Sequence, residues 1–502
     1  MIRRLTIMAA LAAFAPGAAS AESLYDAIAL AYQTNPTLRA QRASLRSADE
    51  GVVQARAGYG PQVNITGQVG YQDARVQQGA SLFTSARTTD YRAGSGSADL
   101  SATQPLYTAG SVSAQVRGAG ADVLASREAL RQAESQVLQQ VITAYVDVRR
   151  DRETIRILRD EIVALTGEFA ETKAKGRLGQ VTRTDVAQSE ARLLSAQAQL
   201  NLAQGRLNVS NAEYLNVVGQ SPGELEPEPD LPGLPATADQ AFTAADHNNP
   251  QLLQAIQAER AAREKVNQAK AAGEGTVSLK FDAAIGPTLP YQPRLYDQSV
   301  TAALVFSKPL FTSGFNSSKV RQALDDDDHA QLAIEVARRG VVQLVAQAWD
   351  QLASTQGAQV IEERQVQVQT VAVQGNRVEE RVGQRSTIDL LNAELELANA
   401  RLGLIQSRHD AYVARASLLA AMGLLEARYL TPNVRIYDPA ASLRRVEHRA
   451  PQPMTPVVGP IDHILAPSTP APRLSAPGAG SQAPADMPLV THPTPDAAET
   501  PQ

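Results

Sequence analysis

One stretch occurs twice in this chain, and its fixed spacing constrains the fold more than any other feature. The first copy runs Arg177-Leu178-Gly179-Gln180-Val181-Thr182-Arg183-Thr184-Asp185. The second runs Arg381-Val382-Gly383-Gln384-Arg385-Ser386-Thr387-Ile388-Asp389. The offset is the same at the Gly and at the Asp: 383 − 179 = 204 and 389 − 185 = 204. Each copy holds a Gly that ends a helix, then a Thr or Ser, then an acid three residues on. That is a stop signal followed by a capping-box start. Gly179 and Gly383 thus mark hairpin turns between long helical patterns, and the chain reads as two helical hairpins related by duplication.

The duplication extends outward from the turns. Asn35-Pro36 and Asn249-Pro250 open matching helices with an offset of 250 − 36 = 214. After them come stretches of period two, Val63–Tyr71 and Val277–Ala283, each followed by a loop and a weaker strand, Tyr91–Thr103 and Tyr296–Ser307. The loop of the first pair is ten residues longer, which turns an offset of 214 into 204. Strands of about ten residues with one apolar face are the pattern of transmembrane β-hairpins. Alternation alone fits an ordinary half-buried hairpin equally well. The strand exits also match. Pro105 and Pro309 are expected to close the strands, because Pro cannot donate to a ladder. Gly110 and Gly314 are expected to permit the corner into the next helix. Those helices then run without Pro over about 113–175 and 317–380, roughly 90–100 Å each at 1.5 Å per residue. The returning helices carry heptads, with Leu193, Leu200 and Leu207 matched by Leu397, Leu404 and Ala411.

Composition narrows the class. Aromatics are 4% of the chain, low for a compact domain and suited to an extended helical object. A net charge of −5 lacks the basic footprint of a nucleic-acid partner. Without Cys there is no disulfide, thiolate metal site or Cys nucleophile. Arg3 and Arg4, the apolar run Leu5–Ala15 and Ala19-Ser20-Ala21 spell a secretory signal peptide over 1–21. No later apolar run reaches the ~18 residues of a membrane helix, so a membrane-spanning mature chain would have to use a β-barrel. The expected organisation is repeat one over 22–222, a linker over 223–237, repeat two over 238–425, a post-helical segment over 426–450 and a Pro-rich disordered tail over 451–502. No phosphate loop, nucleophile elbow or metal set is apparent. Consecutive residues splay around a helix, so Asp325-Asp326-Asp327-Asp328-His329 cannot converge on one ion. Enzyme, cofactor and metal roles are therefore not expected.

As a set, the Asn-Pro starts, the Pro105 and Pro309 exits, the two Gly-x-x-(Ser/Thr)-x-x-Asp tips and the Tyr429–Pro439 segment resemble the TolC family of outer-membrane export channels, most of all its type I secretion subgroup. The resemblance spans about 22–446. It implies a mainly α fold with a β membrane part: a homotrimer whose four strands per protomer make a 12-stranded β-barrel, continued by a long α-helical barrel in the periplasm. It implies the function of an exit duct working with a periplasmic adaptor, an inner-membrane ABC transporter and a secreted protein, in outer-membrane lipid. The same duct in multidrug efflux is the alternative, and a soluble periplasmic coiled-coil adaptor or scaffold is the rival of another class. Carried over by position, Asp185 and Asp389 would form acidic rings at the pore entrance, and Arg385 with Asp185 would make a gate link. A second ring position is neutral Asn392, and the family's aromatic partner in the link is replaced by Glu380. Capping is an equally complete account of the two Asp residues, and both roles can coexist.

Overall fold

The computed structural model describes residues 21–79, 83, 85–287, 296–431, 434–449, 454–464 and 466–472. The signal-peptide reading and the tail beyond 472 lie outside these residues. Two helices, α1 (Leu24–Thr34) and α2 (Pro36–Arg56), open the chain, and a single 3-10 turn at Ala57–Tyr59 follows. The strands β1 (Gln62–Gln78) and β2 (Arg87–Tyr107) lead into α3 (Ser111–Arg177) and α4 (Arg183–Val218). The plan then repeats as α5 (Ala238–Asn248), α6 (Pro250–Ala271), β3 (Thr276–Pro287), β4 (Tyr296–Ser307), α7 (Phe315–Arg381) and α8 (Thr387–Ala421). Among the described residues three short helices follow: α9 (Ala427–Leu430), α10 (Pro439–Arg449) and α11 (Thr455–Ile464).

Local chemistry sets the helix starts. Asn35 and Asn249 cap α2 and α6 through side-chain oxygens that accept from Thr37 N at 2.9 Å and Gln251 N at 2.9 Å. Pro36 and Pro250 occupy the first helical position, where the missing N–H costs nothing. At 67 residues each, α3 and α7 are about 100 Å long. Both start from a left-handed glycine, Gly110 at φ 82° and Gly314 at φ 83°. The residue before each is left-handed too, Ala109 at φ 55° and Ser313 at φ 48°. Two such residues in a row make the corner, and the second is affordable only as glycine.

The strands form one antiparallel sheet in the order β1-β2-β3-β4. Its faces are sharply divided. Ile65 pairs with Leu100, Leu100 with Ala283, and Ala283 with Val300, so one apolar row crosses all four strands. Val63, Val69, Leu279, Phe281, Leu304 and Phe306 lie on the same face, and Ile65 and Val69 are 79% and 92% exposed. The opposite face carries Asn64, Thr66, Ser101, Asp99, Lys280, Asp282 and Thr301. Above Tyr71 the apolar band gives way to ion pairs, Asp73–Arg92 at 3.0 Å and Arg75–Asp90 at 2.6 Å. No described helix is long and apolar enough to cross a membrane.

Two expectations are corrected. Pro105 does not close its strand: β2 continues to Tyr107, with a register shift between Pro105 and Tyr107 where the missing N–H falls. Only Pro309 stands outside its strand, which ends at Ser307. The start of the tail is not featureless either. In α11, Val458 is buried, and fully buried Asp462 accepts from Thr108 N at 2.6 Å, Thr108 Oγ1 at 2.8 Å and Gly110 N at 3.1 Å. Thr469 beyond it bonds Asn267 and Lys270 at 2.8 and 3.0 Å. The tail thus clips over the corner of repeat one. Composition missed this because one buried carboxylate and a few apolar contacts order the segment, not periodicity.

The largest buried cluster gathers α1, the start of α2, the middles of α3 and α7, the ends of α4 and α8, α5, the start of α6, and α9, around Leu38, Val141, Tyr145, Tyr214, Ile334 and Leu418. The Tyr145 hydroxyl lies 2.9 and 2.8 Å from the carbonyl oxygens of Glu22 and Glu226, which share its one proton, and that of Tyr412 donates to the Pro229 carbonyl at 2.8 Å. The linker between repeats is thereby tied to the bundle.

Candidate functional site

The two hairpin turns lie at the end of the helices remote from the sheet. In the first, Leu178 ends α3, Gly179 turns at φ 73°, and Gln180 N donates back to Lys175 O at 3.0 Å. In the second, Gly383 turns at φ 75° and Gln384 N donates to Glu379 O at 2.8 Å. No Cβ clash would arise at either glycine, so backbone conformation alone requires them. The helices restart through two complete capping boxes. Asp185 Oδ2 accepts from Thr182 N and Oγ1 at 2.9 and 2.8 Å, and Asp185 N donates to Thr182 Oγ1 at 3.2 Å. Asp389 Oδ2 accepts from Ser386 N and Oγ at 3.2 and 2.7 Å, and Asp389 N donates to Ser386 Oγ at 3.3 Å. The Ser386 hydroxyl and amide hold the Asp389 carboxyl below its ordinary range, so it is ionised at neutral pH.

Within one protomer Arg385 does not reach Asp185. Its Nε donates to Glu379 Oε2 at 3.0 Å, on the last turn of its own hairpin. What joins the two hairpins near the tip is Lys175 of α3, which donates to Glu380 of α7 at 2.9 Å while holding Glu171 at 2.9 Å. The hydrogen bond that Lys175 donates to Glu380 raises the Lys175 pKa. A second bridge runs from Arg192 Nη2 to Asn392 Oδ1 at 2.9 Å, across α4 and α8. Sequence reasoning placed Glu380 and Asn392 at the tip but missed both partners, because each bridge joins residues about 200 positions apart.

One groove lined by charges of both signs above the tip was also missed. A space of about 290 Å³ between α3, α7 and α8 is lined by Glu161, Arg377, Glu394 and Arg401. Arg377 Nη2 donates to Glu394 Oε1 at 2.5 Å. Nearby, burial and the Glu394 charge push the Glu168 carboxyl up to about 7. Burial and the same charge raise Glu161 as well. Among the described residues no three His, Cys, Asp or Glu side chains form a group able to hold a metal. The four consecutive Asp residues of α7 do splay, leaving Asp327 buried and Asp325, Asp326 and Asp328 exposed.

The arrangement is a sheet with an apolar band facing outward, joined by tight corners to helices far too long for a globule and ending in charged hairpin tips. It belongs to the class of outer-membrane channel protomers with a helical duct. The profile of the family "Outer membrane efflux protein" matches residues 27–220 and 242–424, the two repeats, and the chain belongs to that family. It is 30% identical over 432 residues to outer membrane efflux protein BepC of Brucella suis, covering 86% of this chain and 92% of that one. It is 26% identical to outer membrane protein TolC of Escherichia coli, covering 90% and 92%. It is also 26% identical to alkaline protease secretion protein AprF of Pseudomonas aeruginosa, covering 65% and 69%. The solved outer membrane protein VceC of Vibrio cholerae shares the fold, with a TM-score of 0.67 at 19% identity over 80% of this chain and 96% of that one. The chain is thus a TolC-like outer-membrane channel protein, with its long helices in the periplasm.

Proposed function

We propose that three copies close one barrel and form the exit duct of a tripartite export system, passing a secreted protein across periplasm and outer membrane in type I secretion. The observation that carries this reading is the sheet. Its apolar face crosses all four strands, and β1 and β4 are free edges. An open edge in lipid leaves backbone groups without partners, so the sheet must close on other copies. Two copies give eight strands, whose interior side chains fill; three give twelve and leave a lumen for water. The polar face then lines that lumen.

The duct carries out no chemistry of its own. A periplasmic adaptor and an inner-membrane ABC transporter would engage the helical end and supply the energy. The likeness to AprF, named for alkaline protease secretion, supports a protein cargo. The likeness to BepC, named for efflux, favours the second reading, in which small toxic compounds are exported. Deleting the gene separates the two. Loss of one or a few proteins from the culture medium with unchanged drug tolerance supports secretion; drug sensitivity with an unchanged set of secreted proteins overturns it in favour of efflux.

The tips supply the entrance. Asp185 and Asp389 each cap a helix, and three copies turn each into a ring of charge. Arg385, held by an exposed Glu379, is free to exchange that partner for Asp185 of the partner subunit. One such exposed link is worth about 0.2–1 kcal/mol, and threefold symmetry repeats it. In planar bilayers Arg385→Glu should raise single-channel conductance without lowering the amount of trimer. Unchanged conductance would reduce the tip residues to caps.

A further inference from the structure

Within one chain, α3 of repeat one packs along α8 of repeat two. Much of that seam is neutral. Toward the tip, Ile155 and Leu158 cluster with Leu402, and Leu165 with Leu391. At the other end Gln139 donates to Ser417 at 2.9 Å. Between them sits the one ion pair that crosses from α3 to α8 among the described residues. His409 Nε2 lies 2.9 Å from Asp147 Oδ1.

The imidazole is clasped from both sides. Its Nδ1 lies 2.9 Å from Oδ1 of Asp410, the next residue of α8, and the side chain is 10% exposed. An imidazolium has two N–H groups, one for each carboxylate. A neutral imidazole has one, so one of the two carboxylates must then face a lone pair. Both carboxylates are themselves fixed. Asp147 Oδ1 lies 2.8 Å from Arg150 Nη1, and Asp410 Oδ1 accepts from Gln406 Nε2 at 2.8 Å. Arg150 Nε donates in turn to buried Asp151 at 2.9 Å, and Asp151 accepts from Ser210 of α4 at 2.6 Å. The chain from Asp410 to Ser210 thus crosses α8, α3 and α4. The nearby charges of α7 and α8 are engaged elsewhere. Glu363 of α7 accepts from Arg408 at 3.1 Å and from Gln359 at 3.3 Å, and Glu362 lies over Gly403.

Burial opposes the charge on His409, but the Asp147 and Asp410 carboxylates outweigh it, with Arg150 acting against them, and raise its pKa above the ordinary 6.5. Burial likewise opposes the charge on Asp147, yet His409 and Arg150 hold its carboxyl below the ordinary range. Asp147 is therefore ionised wherever His409 titrates, and the state of His409 decides whether the pair exists. A group whose pKa is raised by folding contributes fully below its unfolded value. It loses that contribution as pH rises through the folded one.

The arrangement is not a by-product of duplication. Adding 204 carries Asp147, Arg150 and Asp151 onto Gln351, Ser354 and Thr355, and subtracting 204 carries His409 and Asp410 onto Gly205 and Arg206. Neither a carboxylate nor an imidazole is kept at these positions.

We infer that His409 is a proton-operated latch between the two repeats: as an imidazolium it clasps the α7–α8 hairpin to α3 through Asp147, and on losing its proton it loosens that hold. The latch acts within one chain and goes beyond the reading of the duct as a channel for secretion or efflux. It makes the helical part of the duct tighter in acid than in alkali.

Hydrogen exchange on the full chain in detergent, expressed as protection factors corrected for the intrinsic pH dependence of amide exchange, tests this. Residues 143–155 and 401–415 should lose protection as pH rises from about 6 to about 9. His409→Gln should show low protection with no such change, while His409→Lys, charged over the whole range, should stay protected. Asp147→Asn should move the midpoint down toward the ordinary imidazole value, and Glu168→Gln near the tip should leave it in place. Protection that does not change with pH in the wild-type protein, or a change that survives in His409→Gln, would overturn the latch. A midpoint that moves with Glu168→Gln instead would assign the change to the tip and overturn it as well.

Discussion

The helices α3 and α7 have equal length, equivalent starts and equivalent ends, yet 22 residues of α3 are buried against nine of α7. The difference is one of place, not of sequence type. In α3 the chain runs through the middle of the protomer, against α1, α2, α4, α6, α8 and α11. In α7 it runs along the rim against α5, α6 and α8, and leaves Leu332, Val336, Val360, Ile361 and Val371 each about two-thirds exposed. Apolar side chains bare along one helix mark a face built to be covered. Duplication supplied two similar helices, and connectivity then buried one and left the other for a neighbouring copy.

The same contrast appears where α2 meets α3 and α6 meets α7. In repeat one Leu45, Val52, Val123 and Leu130 make a small apolar cluster. In repeat two the matching positions are Glu259, Val266, Asp327 and Ile334. Both acids are buried. Asp327 Oδ1 has no hydrogen-bond partner, and Glu259 Oε1 has only Arg263 at 3.6 Å. Burial, opposed by Arg263 and reinforced by the charge of Asp327, raises the Glu259 pKa.

Making repeat one resemble repeat two should have the largest effect. Val123→Asp places an uncompensated carboxylate in an apolar cluster and should destabilise by about 3–5 kcal/mol in urea unfolding. A cost near zero would mean that α3 is no better packed than α7.

The sheet is where the repeats should behave alike. Ile65→Arg in β1 and Leu279→Arg in β3 should each cost about 2–4 kcal/mol in lipid, while Asn64→Arg and Ser278→Arg on the other face are tolerated. Folding yield into bilayers reads this. Equal damage from both faces would break the assigned outward face in both repeats.

The reverse exchange, Glu259→Leu with Asp327→Val, should stabilise the protein by about 1–3 kcal/mol, because buried ionised groups are often worse than apolar ones of similar volume. Loss of stability would show that the acids are held by interactions between copies.

The smallest effect concerns pH near the tip. Glu168 ionises at about 7 in the folded chain, against an ordinary value of 4.5. Its folded form therefore binds a proton that the unfolded form has lost between these values. That contribution is whole below 4.5 and is lost as pH rises through 7. Hydrogen-exchange protection factors in the tip helices, corrected for the intrinsic pH dependence of amide exchange, should fall between pH 5 and 8, an effect that Glu168→Gln abolishes. An unchanged profile in the variant would assign the effect to other groups.

Much of this architecture is local chemistry and was legible as such. Gly179 and Gly383 turn because glycine accepts a positive φ, and Thr182–Asp185 and Ser386–Asp389 restart helices through bonds three residues apart. The alternation of Val63–Tyr71 divides two faces because side chains alternate along a strand. Duplication made each signal readable twice. The sequence by itself determined the repeated order of helices and strands, the length of the two long helices and the division of the sheet into an apolar and a polar face. Tertiary structure alone decided that β2 lies against β3, that α3 is buried while α7 is bare, and that Asp462 reaches back 352 residues to Gly110. It also gave Lys175 to Glu380 and Arg385 to Glu379. Caps and alternation act over three or four residues and leave periodic traces. Pairings across hundreds of residues depend on which surfaces the whole chain brings together, and no local pattern records that.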